Sequence, residues 1–278
     1  MSEIRFLDSK GVSDTLLLAL YARACETQRP DGLIHDERAV KIVAQLRLDG
    51  KRLTMHDGDQ ATMAMRLRKI DQITTGFLAR HPQSAVVHIG CGLDTRFDRV
   101  DNGLVEWFDI DLPDVIALRE KLLEVSNPRY HPCGCSILED GWLAAVRAYN
   151  RLPLLFIAEG VLTYFTELEV RRLVATIQSE FPGAELAFDA STPFLIRMDN
   201  LHLLFYHQRA RLHWGLKHGQ DLESWAPGIR LLEEWYYFDR YEPRLKAFNW
   251  IGRIPGWAKM AGIFHLRLGA ADGSDGPR

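Results

Sequence analysis

The chain has 278 residues, 47% hydrophobic and 26% charged, with 34 basic against 37 acidic side chains and a net charge of −3. That composition suits a soluble globular protein with core enough for one large domain, or one domain with a lid. It offers nucleic acid or an anionic membrane no attractive field, no apolar stretch is long enough for a membrane span or signal peptide, and four cysteines without a disulfide-framework spacing imply a reducing, cytoplasmic setting.

Residues 12–47 read as two helical segments parted by Arg29-Pro-Asp-Gly32. Leu16, Leu17, Leu20 and Tyr21 line the first, and Val40, Ile42, Val43 and Leu46 the second. Residues 60–80 form an amphipathic helix, because Met63, Leu67, Ile70, Ile73 and Phe77 recur every three or four positions. His81-Pro82 ends it, and an apolar strand over 84–89 stops at Gly90 and Gly92. A second strand, from residue 105, runs into Asp109 and Asp111, and a helix opens at Leu112-Pro-Asp114 with proline at a favoured first position. A strand near 129–134 and a helix around 139–149 follow. The strand over 153–158 is apolar throughout, as a central strand covered on both faces must be. Thr166 with Glu169 three residues on makes a capping box ahead of Val170, Leu173, Val174 and Ile177. Pro182-Gly183 stops that helix before a strand over 184–189.

Residues 192–225, rich in aromatics, histidine and arginine, read as an inserted helical lid. A strand over 230–238, a helix over 241–260 and a strand over 262–268 then close the sheet. The rhythm predicts an α/β protein with a doubly wound, mostly parallel seven-stranded sheet. Residues 1–59 would be an N-terminal helical cap segment, and residues 60–278 the main domain carrying the lid.

The chemistry concentrates at the strand tips. Glycines let a backbone turn tightly and approach a ligand, and an acid 19 to 21 positions beyond Gly90 can accept ribose hydroxyl protons. The dinucleotide fingerprint has a third glycine where this chain has Thr95, followed by a long helix aimed at a pyrophosphate; here Asn102-Gly103 interrupts after a short segment. A ligand with ribose and adenine but no phosphate chain fits better, and S-adenosylmethionine is the commonest such ligand. Glu159-Gly160 reaches the carboxyl edge of the sheet, where a carboxylate suits a sulfonium and an α-amino group, and Tyr164 can line the same mouth. Glu159 and Tyr164 are thus the candidate catalytic residues. No metal is expected. His131-Pro-Cys133-Gly-Cys135 lacks a second ligand pair, and His202, His207, His213 and His218 stand at steps that stack on no helix face.

Three blocks carry a resemblance: Ile89-Gly-Cys-Gly-Leu-Asp-Thr-Arg-Phe97, Phe108-Asp-Ile-Asp-Leu-Pro113 and Ala158-Glu-Gly-Val-Leu-Thr-Tyr-Phe165. With Leu33-Ile-His-Asp36 and the stretch 225–235, they make residues 14 to 268 resemble the leucine carboxyl methyltransferase family. The likeness is closer to its bacterial branch of tetracenomycin-type polyketide O-methyltransferases. The resemblance implies a class I S-adenosylmethionine-dependent methyltransferase. Arg66 would pair with the cofactor carboxylate, Gly90 and Gly92 would pass beneath its methionine part, and Asp111 would hold the ribose. Ser136 and Ile137 would flank the adenine, and Glu159 would sit beside the amino-acid end. Asp94 and Asp109 complete the candidate cofactor set. Two positions depart from the family pattern: Glu37 replaces a common proline, and Ser136 stands where aspartate is frequent.

The implied partner is a small-molecule acceptor. A carboxylate acceptor is ionised at neutral pH and needs a cation, for which Arg197, Arg209 and Arg211 are candidates; a phenol needs a base such as His207. Arg197, Tyr206 and His207 are therefore the candidate acceptor contacts. Two alternatives remain open at this level: carboxyl methylation of a protein C-terminus, and a non-catalytic nucleoside-binding protein. Thr95 argues against a nicotinamide oxidoreductase.

Overall fold

A computed structural model describes residues 14–46, 55–123, 125–205, 211–254 and 256–269. The apolar runs become strands β1 (Ala85–Ile89), β2 (Glu106–Asp111), β3 (Tyr130–Gly134), β4 (Leu154–Ala158), β5 (Ala184–Ser191), β6 (Ile229–Tyr236) and β7 (Ala261–Leu268). They form one sheet in the order β3-β2-β1-β4-β5-β7-β6, parallel except for β7, which runs antiparallel to both its neighbours. Every residue of β1 and β4 is buried, which explains the unbroken apolar sequence of β4 and, His88 excepted, that of β1.

Register decides what meets at the carboxyl edge. Ile89 pairs with Ile110 and with Ala158, and Ala158 pairs with Phe188. Gly90, Asp111, Glu159 and Asp189 each stand one residue beyond that line. Four chemically distinct positions, far apart in sequence, thereby share one level.

Helices α1 (Asp14–Thr27), α2 (Glu37–Leu46), α3 (Asp57–Arg80), α4 (Arg96–Val100), α5 (Pro113–Leu123), α6 (Leu143–Arg147), α7 (Glu167–Glu180) and α8 (Pro193–Phe205) surround the sheet. Met65, Ile70, Ile73 and Phe77 of α3 pack on Val86, Trp107, Leu155 and Ile157. On the opposite face Val170, Leu173, Val174 and Ile177 of α7 join Phe108 and Phe156. The capping box of α7 is present, with Thr166 N–H donating to Glu169 Oε2 at 2.7 Å and Glu169 N–H to Thr166 Oγ1 at 3.3 Å. Leu20, Ala24, Ala39 and Ile42 from α1 and α2 meet Leu93, Leu118 and Leu122, so the N-terminal helices rest on the glycine loop and α5.

Three sequence expectations are refined. Met63 is half-buried while Met65 takes the core position beside Ala61, Ala64 and Leu67, on a helix that begins at Asp57. The helix expected over 139–149 is a 3-10 turn, Asp140–Trp142, followed by the short α6. The helix expected over 241–260 is a 3-10 helix, Pro243–Arg253. Gly256 then takes φ +84, which no continuing helix allows. Within 192–225, α8 supplies the helical part. Trp214 and Leu216 sink into the core beside Phe188 and Trp225, and a 3-10 helix covers Gly219–Ser224. Among the described residues no helix is long and apolar enough to cross a membrane.

Candidate active site

From β1 the backbone turns through Gly90 at φ +62 and Gly92 at φ +50, conformations that side chains resist. A Cβ on Gly90 would stand 2.7 Å from Val161 Cγ2, so the loop passes closely under the exit of β4. Asp111, half-buried, accepts the Gly92 N–H at 2.7 Å on one oxygen and the Leu112 N–H at 2.8 Å on the other. Burial pushes its pKa up against those two donors. Each oxygen retains lone-pair capacity, so the carboxylate can still accept two hydroxyl protons. Cys135 N–H donates to the Asp111 carbonyl at 2.9 Å, which brings Ser136 (half-buried) and Ile137 (buried) out of β3 beside that tip.

The tips of β4 and β5 carry an ion cluster. Arg66 Nε donates to Glu159 Oε1 at 2.9 Å, and its Nη1 to Asp189 Oδ2 at 3.2 Å. Gly160, at φ +67, donates its N–H to Asp189 Oδ1 at 2.6 Å. A Cβ on Gly160 would sit 3.4 Å from Arg66 Nη2, so the guanidinium lies across that glycine. Arg96 Nη2 reaches Glu159 Oε2 at 2.5 Å from the other side. Burial alone would raise the pKa of Glu159, but Arg96 and Arg66 outweigh it and hold the carboxyl below its usual range. Asp189 goes the other way: burial raises it, with Arg66 and the Gly160 N–H opposing.

Two of the predicted cofactor acids are engaged elsewhere. Asp109 lies one pleat deeper than Asp111 on the same face of β2, fully buried. It takes hydrogen bonds from Arg119, from Trp107 Nε1 at 2.8 Å and from Tyr130 Oη at 2.6 Å. Burial opposes its charge, yet Arg119 above all, with His88 and Tyr130, holds its pKa at about 2. Arg119 also donates to the carbonyls of Gly92 and Asp94, both at 2.7 Å, so Asp109 acts on the glycine loop through an arginine. Asp94 is likewise buried, 3.0 Å from Arg96 and 2.9 Å from Arg99. Its carboxylate pins the loop, a consequence of an acid placed two and five residues before two arginines.

Tyr164 sits on the 3-10 turn Leu162–Tyr164 with 37% of its surface exposed. Arg197 is exposed on α8, Arg211 is exposed beyond it, and Tyr206, His207 and Arg209 lie outside the described residues. Three contributors escaped the sequence reading: Asp189, Arg96 and Tyr237. Asp189 carried a usable signal, since it follows an apolar strand as Asp111 and Glu159 do. Tyr237 carried none, and the contacts that bring Arg96 to the site, to Asp71 and Glu159, are distant in sequence.

The edge therefore presents a backbone cradle, an acceptor-rich Asp111 and a cation flanked by two anions. A zwitterionic amino acid joined to a nucleoside finds partners for each part. A phosphate chain would face Asp111, Glu159 and Asp189 instead, while α4, five residues long, replaces the usual helix. Strand order, the reversed β7 and this cradle define a class I methyltransferase fold.

Comparison with known proteins agrees. A Streptomyces avermitilis protein of the DUF574 family shares the fold at a TM-score of 0.58 with 11% identity, over 92% of this chain and 97% of that one. The sequence pattern of the family described as leucine carboxyl methyltransferase matches residues 17–178. The tetracenomycin polyketide synthesis O-methyltransferase TcmP of Streptomyces glaucescens is 34% identical over 82% of this chain and 84% of its own. The S-adenosyl-L-methionine-dependent methyltransferase dpfgK of Gibberella zeae is 28% identical over 95% and 94%. This chain belongs to the leucine carboxyl methyltransferase family, and its activity is S-adenosylmethionine-dependent methyl transfer.

Proposed function

We propose that the chain methylates an oxygen of a small-molecule acceptor, a polyketide-like or aromatic compound, with a carboxylate as the preferred group and a hydroxyl as the alternative. The observation that carries the assignment of the cofactor end is Arg66, fixed between Glu159 and Asp189 at the level of the glycine loop. In this reading Arg66 meets the cofactor carboxylate, and Glu159 and Asp189 face its ammonium. Gly90, Gly92 and Gly160 leave room for its chain, Asp111 accepts from the ribose hydroxyls, and Ser136 and Ile137 border the base. When bound, the cofactor supplies a methyl group on a sulfonium, already activated and leaving a neutral thioether behind.

The protein's own work is alignment and exclusion of water. An ionised carboxylate brings its own nucleophilic oxygen, so Glu159, spent on two arginines, does not need to accept a proton. Its part is to hold Arg66. Tyr164 and Arg197 border the acceptor side, the latter as a cation for the acceptor's charge. Similarity to TcmP, named for tetracenomycin polyketide synthesis, favours a small molecule over a protein terminus.

Calorimetry with S-adenosylmethionine, S-adenosylhomocysteine and NAD tests the cofactor assignment. The first two should bind and NAD should not; tight NAD binding would overturn it. Labelled methyl transferred to aromatic acids should return as methanol under mild base, the behaviour of an ester. A base-stable label moves the assignment to a hydroxyl.

A further inference from the structure

We propose that the connection between β6 and β7 forms a second wall of the acceptor site, a cleft for a flat aromatic carboxylate in which Arg253 meets the carboxylate and Trp250 and Tyr241 cover the rings. This rests on the methyl-transfer reading and says where its acceptor lies.

Topology puts the connection at the right edge. β6 runs antiparallel to β7 and β7 antiparallel to β5, so β6 ends where β1, β4 and β5 end. Tyr237, the next residue, is buried, and burial together with the charge of Asp189 drives its hydroxyl pKa well up. The chain thus leaves the sheet beside the ion cluster. Phe238, immediately after, opens a cleft of about 460 Å³ between residues 238–241 and 249–253. That volume falls within the range of small-molecule sites, roughly 300–1,000 Å³.

The walls are held in place. Asn249 accepts the Glu242 N–H at 3.0 Å and donates to the Glu242 carbonyl at 2.8 Å, pinning the two sides together. Gly252 lies so close to Phe238 that a Cβ would stand 2.0 Å from its carbonyl oxygen. Glu242 pairs with Arg68 at 3.1 Å on α3, the helix that also carries Arg66. Beyond the cleft, Trp257 meets Phe194 at the start of α8 edge-on, with ring centroids 6.5 Å apart. The connection therefore reaches from α3 to α8, the helix that carries Arg197, at the carboxyl edge.

Chemistry selects the ligand. Tyr241 is 80% exposed and Trp250 57%, large ring surfaces left uncovered on a segment whose backbone is tied down. Aromatic faces fixed in this way suit stacking against a flat ring system. Arg240 has Asp239 at 3.9 Å, whereas Arg253, exposed, makes no ion pair among the described residues. A cation with no ion-pair partner among the described residues, lining the same cleft as two uncovered aromatic rings, is complementary to an aromatic acid and indifferent to a neutral phenol.

Wild type, Arg253→Ala, Arg253→Lys and Trp250→Ala are titrated with anthracene-2-carboxylate by its fluorescence, and with S-adenosylhomocysteine by calorimetry. Arg253→Ala and Trp250→Ala should each weaken the acid at least tenfold, and Arg253→Lys should recover part of the loss. S-adenosylhomocysteine affinity should stay within twofold, and the methyl ester of the probe should bind wild type and Arg253→Ala alike. No saturable binding of the acid to wild type, or acid affinity within twofold in both alanine variants, overturns the proposal. An equal fall in S-adenosylhomocysteine affinity overturns it too, because the segment would then serve the fold or the cofactor. If wild type binds the acid, both alanine variants lose it, and wild type never binds S-adenosylhomocysteine, the methyl-transfer reading falls and the cleft stands as an aromatic-acid site.

Discussion

Replacing Arg96 with methionine should unsettle the floor of the site more than any exposed substitution. Its guanidinium is fully buried and meets Asp71 at 2.6 Å, Asp94 at 3.0 Å and Glu159 at 2.5 Å. Removing one partner from a buried charge network costs about 3–5 kcal/mol, since the carboxylates left behind cannot rehydrate. Here Arg99 still meets Asp71 and Asp94, and Arg66 still meets Glu159, so the expected cost is near the lower end, about 3 kcal/mol. The pH dependence is the sharper readout. In the wild type the carboxyl of Glu159 is depressed on folding, so its contribution is present above the unfolded carboxylate pKa and is lost as pH falls through the lower folded value. Without Arg96, burial dominates and the same carboxyl is raised, so its penalty is greatest at neutral pH and fades on acidification. The difference between the two proteins in urea unfolding should therefore shrink from pH 7 to pH 4.5. A difference under 1 kcal/mol at pH 7, or one constant across that interval, would refute the argument.

Asp111→Ala should weaken S-adenosylhomocysteine by about 1.5–3 kcal/mol, the range for hydrogen bonds to a charged group, as read by calorimetry; unchanged affinity would displace the ribose from that tip. Gly90→Ala must place a Cβ 2.7 Å from Val161 Cγ2 at φ +62, and should cost about 1–2 kcal/mol from backbone conformation alone; Val161→Ala removes that contact in thermal unfolding but leaves its own Cβ at 3.0 Å and the backbone term. Thr166→Ala removes the cap of α7 and should lower stability by about 1 kcal/mol while leaving cofactor affinity alone.

The parts of the site that could be read from sequence are those built from contiguous residues. Gly90 to Thr95 announces a turn, the apolar run ending at Glu159 announces a strand tip because burial on both faces forces a run that solvent then stops, and the strand-like run into Asp109 and Asp111 announces another. The register that levels Glu159 with Asp189 is a pairing between distant strands, and no local pattern encodes it. Asp109 and Asp111 look equivalent in sequence, yet one pleat of depth turns the first into an anchor for Arg119 and leaves the second at the rim. Arg66 sits on a helix face where arginines are normally solvated, and only the packing of α3 over the sheet brings it to Glu159. The helix expected over 241–260 forms as a 3-10 helix over Pro243–Arg253, and the close approach of Gly252 to Phe238 is invisible in one dimension.

The substitution of Asp-Thr-Arg for the third glycine and its long helix changes how the loop is made rigid. A dinucleotide site stiffens its glycine loop by running it straight into a helix. This chain stiffens it with side chains: Thr95 donates to Asp36 at 2.5 Å, and Asp36 also takes Arg23 and Arg99, both at 3.1 Å. Arg23 in turn donates to the Leu93 carbonyl at 2.5 Å. The junction of α1 and α2 is thereby tied to the loop from above, while Arg119 ties it from below. Such a floor gains its rigidity from buried ion pairs whose net worth is small but whose disruption is expensive. It leaves the glycine loop feeding only the five-residue α4 rather than a long helix, which suits a cofactor bearing its own positive charge and no phosphate chain. The segments after β5 and after β6 carry none of these ion pairs, so substitutions there should leave the residues assigned here to the cofactor undisturbed.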